Sequence, residues 1–282
     1  MTLTEWLDKG TAQLGAGPHA EKARRDAELL LLHAAGISRS AFLAHTNDEL
    51  DLGAATHLEV LLERRAAGEP IQYITGACEF YGLPFRVTPD VLIPRPETEH
   101  LVESVLGLAP LFAEPRIVDV GTGSGAIAVA LAHKLPGSRI AAIDVSEAAL
   151  DLARENAKRD GVAECIRFLQ GDLLAPVAGE TFDLVVSNPP YVPIADLESL
   201  AIEVREYEPG LALFAGEDGL DVYRRLIPAA FAVLAPGGLI ALEIGCGQSD
   251  AVRSLLASAG FVEVRFAPDL QGIERVALAQ RP

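Results

Sequence analysis

The sequence predicts an open α/β sheet preceded by a small all-helical domain. Three observations predict it. From about residue 115, short β-branched runs alternate with stretches of helical spacing, which implies a parallel sheet with crossover helices. A tight glycine turn, Gly121-Thr122-Gly123-Ser124-Gly125, divides the first of those runs from its helix. Residues 1 to about 68 carry helical spacing and no strand pattern.

In the leader, Thr2 and Glu5 form a capping-box pattern before Trp6 and Leu7. Ala23, Ala27, Leu30, Leu31 and Ala34 recur on one helix face, with Gly36 as the stop. Leu58, Leu61 and Leu62 share a face of a later helix, closed by Gly68 and Pro70. Arg24, Arg25, Arg64 and Arg65 are the densest positive charge here; they read either as solvated helix faces or as a docking surface for an acidic partner. Residues 69–94 mix aromatic and β-branched residues with glycines. Gln72–Gly76 and Glu79–Val87 are expected to be two strands of a hairpin linker. Ile93-Pro94-Arg95-Pro96-Glu97-Thr98-Glu99 then opens a helix, with Leu101, Val102, Val105 and Leu106 as its apolar face. Arg95, Glu97 and Thr98 either cap that helix or form a rim over a ligand.

The main domain spans 95–282 on this reading. Its expected strands are 117–120, 139–143, 166–170, 182–186 and 239–244, with 262–266 and 275–279 as a final pair, seven in all. Helices are expected at 126–134, 150–159, 220–234 and 252–259.

Composition bounds the function. The 282 residues carry a net charge of −17, which argues against a broad phosphate-binding surface. No apolar run is long enough to span a membrane, and the N-terminus has neither basic nor apolar signal regions, so a cytoplasmic protein is expected. Cys78, Cys165 and Cys246 are far apart and form no Cys-x-x-Cys. No metal site is expected, and the thiols read as free and buried.

The candidate site gathers at the ends of the strands, where open α/β sheets place ligands. Ser187-Asn188-Pro189-Pro190-Tyr191 follows the apolar run Phe182–Val186, and two prolines stop the strand. The Asn188 side-chain carbonyl and the Pro189 main-chain carbonyl are adjacent acceptors, suited to a planar NH2 group, and the Tyr191 ring can cover it. The plainer reading is a rigid turn. The glycine turn satisfies a loose dinucleotide fingerprint, so NAD has to be weighed. Asp144 ends the next strand and can accept from both hydroxyls of a ribose, or cap the helix that follows. Asp119 is placed to hold main-chain amides of the turn. Two features favour S-adenosylmethionine over NAD. Gly171-Asp172-Leu173 adds an acceptor at a third strand end, near an adenine amino group, and no acid or base for hydride chemistry is evident. An acidic site also suits a sulfonium better than a pyrophosphate.

These residues resemble class I S-adenosylmethionine-dependent methyltransferases, with their Rossmann-like seven-stranded domain. Asn-Pro-Pro-Tyr narrows the resemblance to enzymes that methylate a planar nitrogen: adenine-N6 and cytosine-N4 nucleic-acid methyltransferases, and protein-glutamine N5 methyltransferases. Pro70–Gly76, Glu79–Gly82, Leu92–Glu99, Asp119–Gly125, Ser187–Tyr191 and Glu274–Val276 resemble the HemK-type release factor glutamine methyltransferases most. That resemblance implies S-adenosylmethionine as cofactor. It implies, as substrate, the glutamine of the Gly-Gly-Gln loop of class I peptide chain release factors, met by an N-terminal docking domain. It implies cofactor contacts at Gly121, Thr122, Gly123, Ser124, Gly125, Asp144, Asp172, Leu173 and Asn188. It implies a catalytic and substrate-binding set of Asn188, Pro189, Pro190 and Tyr191. No nucleic acid or membrane is required on this reading, and a monomer is expected.

Overall fold

A computed structural model describes residues 1–282. The chain forms two compact units: Met1–Ala77 with Leu200–Tyr207, and Cys78–Ser199 with Glu208–Pro282.

The first unit contains α1 (Leu3–Gly15), α2 (Ala23–Ala35), α3 (Arg39–Ala44), α4 (Leu52–Ala66) and α5 (Ile71–Thr75). Thr2 and Glu5 close a reciprocal capping box on α1, and Gly36 ends α2 in the left-handed region. Trp6, Leu7, Leu30, Leu31, Leu58 and Leu62 form its core. α5 corrects the strand expected at Gln72–Gly76. Pro70 is extended at the N-cap and Gly76 is left-handed at the C-cap, so the segment is bracketed as one helical turn. Thr75 Oγ1 donates to the Ile71 carbonyl, and Ile74 packs into the helical core. That burial outweighs the strand preference of β-branched residues.

Arg65 corrects the reading of the arginines as solvated or docking groups. It is 2 % exposed, and its Nε donates to Asp26 Oδ2 at 2.8 Å. Its Nη1 donates to the Glu69 carbonyl at 2.9 Å and to Glu203 Oε2 at 3.1 Å. Glu203 lies in the Leu200–Tyr207 segment, so this arginine ties that segment into the helical unit. Arg65→Leu leaves the Asp26 carboxylate buried without its partner. It is expected to cost ~3–5 kcal/mol in urea unfolding, with most of the loss recovered in Arg65→Leu/Asp26→Leu.

In the second unit, β1 (Ala77–Phe80) and β2 (Leu83–Arg86) pair as a hairpin. The main sheet comprises β3 (Arg116–Val120), β4 (Arg139–Asp144), β5 (Ile166–Gln170), β6 (Phe182–Ser187), β7 (Leu234–Glu243), β8 (Val262–Pro268) and β9 (Glu274–Gln280). Their order is β5-β4-β3-β6-β7-β9-β8, parallel except for β9, which runs antiparallel to both β7 and β8. The seven expected strands are all present. β7 starts at Leu234 instead of Leu239, passing through Pro236-Gly237-Gly238.

Alternate strand residues face opposite layers, as the pleat requires. Ile117, Ala142, Leu184 and Val186 pack with α6 (Thr98–Leu108) and α7 (Ala126–Lys134). Val118, Ile143, Val185 and Ile240 pack beneath α10 (Asp221–Val233) and α11 (Ser249–Ser258). α8 (Glu147–Arg159) follows β4, and the short α9 (Ile202–Arg205) belongs to the first unit. Burial on both faces is why these strands read as predominantly apolar runs, interrupted at Asp119 and Asp183. The cysteines are free, but Cys165 and Cys246 are exposed, not buried. No helix is long and apolar enough to cross a membrane.

Candidate active site

The strand order reverses between β3 and β6, and their C-terminal ends open onto a cavity of about 580 Å³. This is the switch point at which open α/β sheets bind ligands. Of the residues expected there, Gly121, Thr122, Ser124, Asp144, Asp172, Leu173, Asn188 and Pro190 line the cavity. Gly123, Gly125, Pro189 and Tyr191 are not part of its wall.

The glycine turn is built by its own hydrogen bonds. Gly121 has φ +72°, and a Cβ there would project into open space, so the backbone faces the cavity bare. Gly125 serves packing: a Cβ would sit 3.0 Å from that of Ala153 on α8. The amides of Gly121 and Thr122 donate to the Ile143 carbonyl at 2.8 and 3.0 Å, and the Gly125 amide donates to Thr122 O at 2.8 Å. The Gly123 amide donates to Asp144 Oδ2 at 2.9 Å. A pyrophosphate loop needs such amides pointing at its anion. Here four of them are already taken by protein oxygens, one by a carboxylate, which counts against the dinucleotide reading.

Asp144 does not cap α8. Ser146 does, accepting from the Ala149 amide, while Asp144 Oδ1 accepts from the Ser146 amide at 3.0 Å. Both carboxylate oxygens are thus anchored from behind, and each keeps a lone pair for a cavity ligand. Asp119 is fully buried, and burial pushes its carboxyl up to about 7. It takes the Thr122 hydroxyl at 2.7 Å, so it grips a side chain of the turn, not the main-chain amides expected of it. Asp172 is exposed and its carboxylate pairs with Arg225 across the cavity rim, so this acceptor is engaged by a guanidinium.

At Asn188 the amide is held from one side. Its Nδ2 donates to Thr98 Oγ1 at 3.0 Å, which leaves Oδ1 as the open end of a side chain that lines the cavity. Thr98 Oγ1 in turn donates to Glu243 Oε2 at 2.6 Å. Thr98 and Arg95 therefore belong to the cavity wall; neither caps α6, and Glu97 at its N-cap makes no side-chain cap bond. Arg95 is braced by the buried Glu208 at 2.6 Å. Tyr191 turns its hydroxyl to Glu243 Oε1 at 3.2 Å, and its ring packs on the core beneath α10. It braces the loop instead of covering the cavity. Burial and the neighbouring Glu243 carboxylate raise its phenol above the ordinary value. Ser187 Oγ donates to the Val120 carbonyl at 2.6 Å, joining the two strand ends that carry the site.

A family model described as the PrmC N-terminal domain matches residues 5–76, and one described as the methyltransferase small domain matches residues 98–203. The release factor glutamine methyltransferase of Moorella thermoacetica is 48 % identical over 100 % of this chain and 99 % of its own. The chain belongs to the release factor glutamine methyltransferase family. The Geobacter sulfurreducens member is 45 % identical over 97 % of this chain and 94 % of its own. A Pyrococcus furiosus methyltransferase of known structure shares the fold, with a TM-score of 0.51 at 20 % identity over 71 % of this chain and 90 % of its own.

For a member of this family, the residues that sequence reading passed over are Glu243 and Gln248. Gln248 Nε2 donates to the Tyr191 carbonyl at 3.0 Å, and its Oε1 accepts from the Gly245 amide at 3.0 Å. The available signal was the single carboxylate in Leu239-Ile240-Ala241-Leu242-Glu243-Ile244, a charge at the end of an otherwise apolar strand.

Proposed function

We propose that this protein methylates the side-chain amide nitrogen of the glutamine in the Gly-Gly-Gln motif of class I release factors, using S-adenosylmethionine. The observation that carries this reading is the Asn188 amide, tethered through Nδ2 to Thr98 so that Oδ1 remains for a donor in the cavity. A substrate NH2 is such a donor.

The residues present fit the cofactor. Gly121 presents bare backbone, Asp144 presents an anchored carboxylate, and the cavity of about 580 Å³ falls in the range of small-molecule sites. Gly121, Thr122 and Ser124 would hold one end of the cofactor, Asp144 its ribose, and Asp172 and Leu173 the neighbourhood of its adenine. The bound cofactor supplies an electrophilic methyl on a sulfonium.

An amide nitrogen is a poor nucleophile, because its lone pair is delocalised into the carbonyl. Asn188 Oδ1, in the cavity wall, accepts one N–H of the glutamine, and the other is assigned to the adjacent Pro189 carbonyl, although Pro189 itself is not part of that wall. Together they fix the nitrogen's direction and favour the positive charge that grows on it. Positioning of this kind is worth up to ~7–11 kcal/mol of a barrier. The two prolines hold that carbonyl without a competing N–H. The surplus proton leaves to solvent.

Incubation with labelled S-adenosylmethionine and either a release factor or duplex DNA tests the reading. Label is expected on the release factor and lost when its Gly-Gly-Gln glutamine is changed to glutamate. Label on DNA alone would support the adenine-N6 or cytosine-N4 reading instead. A net charge of −17 counts against that alternative, since a duplex must be held by its phosphates.

A further inference from the structure

We propose that Glu243 is a positioning residue: by taking the only hydroxyl proton of Thr98, it forces Asn188 to present its oxygen to the cavity. This rests on the reading of Asn188 as the acceptor for the substrate amide, and it concerns how that acceptor is oriented.

The number of protons available along the chain of hydrogen bonds fixes the orientation. An asparagine amide offers an NH2 at one end and an oxygen at the other, and the two ends are nearly equal in size. Thr98 Oγ1 has one proton to give. An ionised Glu243 can only accept, and its Oε2 takes that proton at 2.6 Å. Thr98 Oγ1 is then an acceptor toward Asn188, and only the NH2 end of Asn188 can satisfy it, as found at 3.0 Å. If Glu243 gave a proton to Thr98 instead, the Thr98 hydroxyl would be free to donate to Asn188. The amide would turn and offer NH2 to the cavity, where a substrate NH2 would meet donor against donor.

The rest of the Glu243 environment holds it as an acceptor in place. Oε1 takes the Tyr191 hydroxyl at 3.2 Å, and the main-chain carbonyl takes the Tyr223 hydroxyl at 2.7 Å. The residue is 1 % exposed. Glu97 at the start of α6 opposes its ionisation, and Arg275 on β9 favours it. Burial dominates and pushes the carboxyl up to about 6. The carboxylate form, and with it the productive Asn188 orientation, is present above that pH and lost as pH falls through it.

Glu243→Gln separates charge from shape. With glutamine, the carbonyl can still take the Tyr191 hydroxyl, and the new NH2 then faces Thr98 and reverses the relay. The chain has three asparagines, Asn47, Asn156 and Asn188, so the side-chain amide of Asn188 can be followed by NMR in 15N-asparagine-labelled protein without cofactor or substrate. In the wild type its Nδ2 resonances are expected to titrate with a midpoint of about 6. In Glu243→Gln they are expected to be displaced and to lose that titration. At about pH 8, kcat on a release factor is expected to fall ~10-fold or more, while the KM for release factor and the Kd for S-adenosylmethionine stay within ~2-fold. Unchanged Asn188 resonances with wild-type kcat in Glu243→Gln would overturn the assignment. If that variant does not fold, Thr98→Val and Thr98→Ser decide: the valine is expected to lose kcat and the serine to keep it, and equal rates in both would overturn it. Should the wild type fail to methylate any release factor, the proposed function falls, while the resonances still report on Glu243.

Discussion

Asn188→Ala is expected to lower kcat on a release factor by ~10²-fold or more, the cost of removing one preorganised partner from a dry site. Asn188 is fixed by its Nδ2 bond to Thr98, so its oxygen needs no reorganisation as the reaction proceeds. The alanine variant leaves one N–H of the substrate without an acceptor and its nitrogen free to rotate away from the methyl. Asn188→Asp retains an acceptor and is expected to keep measurable activity. Steady-state kinetics on folded variants check both, and near-normal turnover of the alanine variant would remove Asn188 from the chemistry.

The second large effect is expected at Asp144. Asp144→Ala should raise the Kd for S-adenosylmethionine by ~10- to 100-fold, the scale of one or two hydrogen bonds to a charged group. The structure adds a reason for the upper part of that range. The same carboxylate accepts from the amides of Gly123 and Ser146, so its loss also frees the glycine turn and the entry to α8. Asp144→Asn keeps one acceptor oxygen and is expected to lose less. Calorimetry showing wild-type affinity in Asp144→Ala would reject the ribose assignment.

Much of the fold was legible because both faces of the sheet are buried. Ile117–Val120 and Arg139–Ile143 appear as largely apolar runs ended by a glycine and a carboxylate, and Ile166–Gln170, a partly exposed edge strand, as a mixed run ended by a glycine; each is a strand within a residue of that reading. Gln72–Gly76 reads as a strand because Ile and Thr fit one locally, whereas the packing of Ile74 into the helical core decides in favour of a turn of helix. Local pattern also says nothing of which charged residue is buried. Arg65 looks like its exposed neighbours until Asp26, 39 positions earlier, is brought against it. The site divided in the same way. Asn188, Asp144 and the glycine turn were legible because each sits at a strand end with its own turn chemistry. Thr98 reads only as a helix cap or a rim residue, and Glu243 not at all, because their roles come from contacts across 90 and 145 residues of chain. The place of Tyr191 in the motif suggests a ring that covers a planar NH2 group, but its hydroxyl is drawn to Glu243.

The most direct measurement of the central claim is a crystal structure with S-adenosylhomocysteine and a release factor bound. The glutamine Nε2 is predicted to lie ~3 Å from both Asn188 Oδ1 and the Pro189 carbonyl, with the cofactor sulfur in line behind it. A glutamine nitrogen bonded elsewhere, or an Asn188 oxygen turned toward Thr98, would contradict the account.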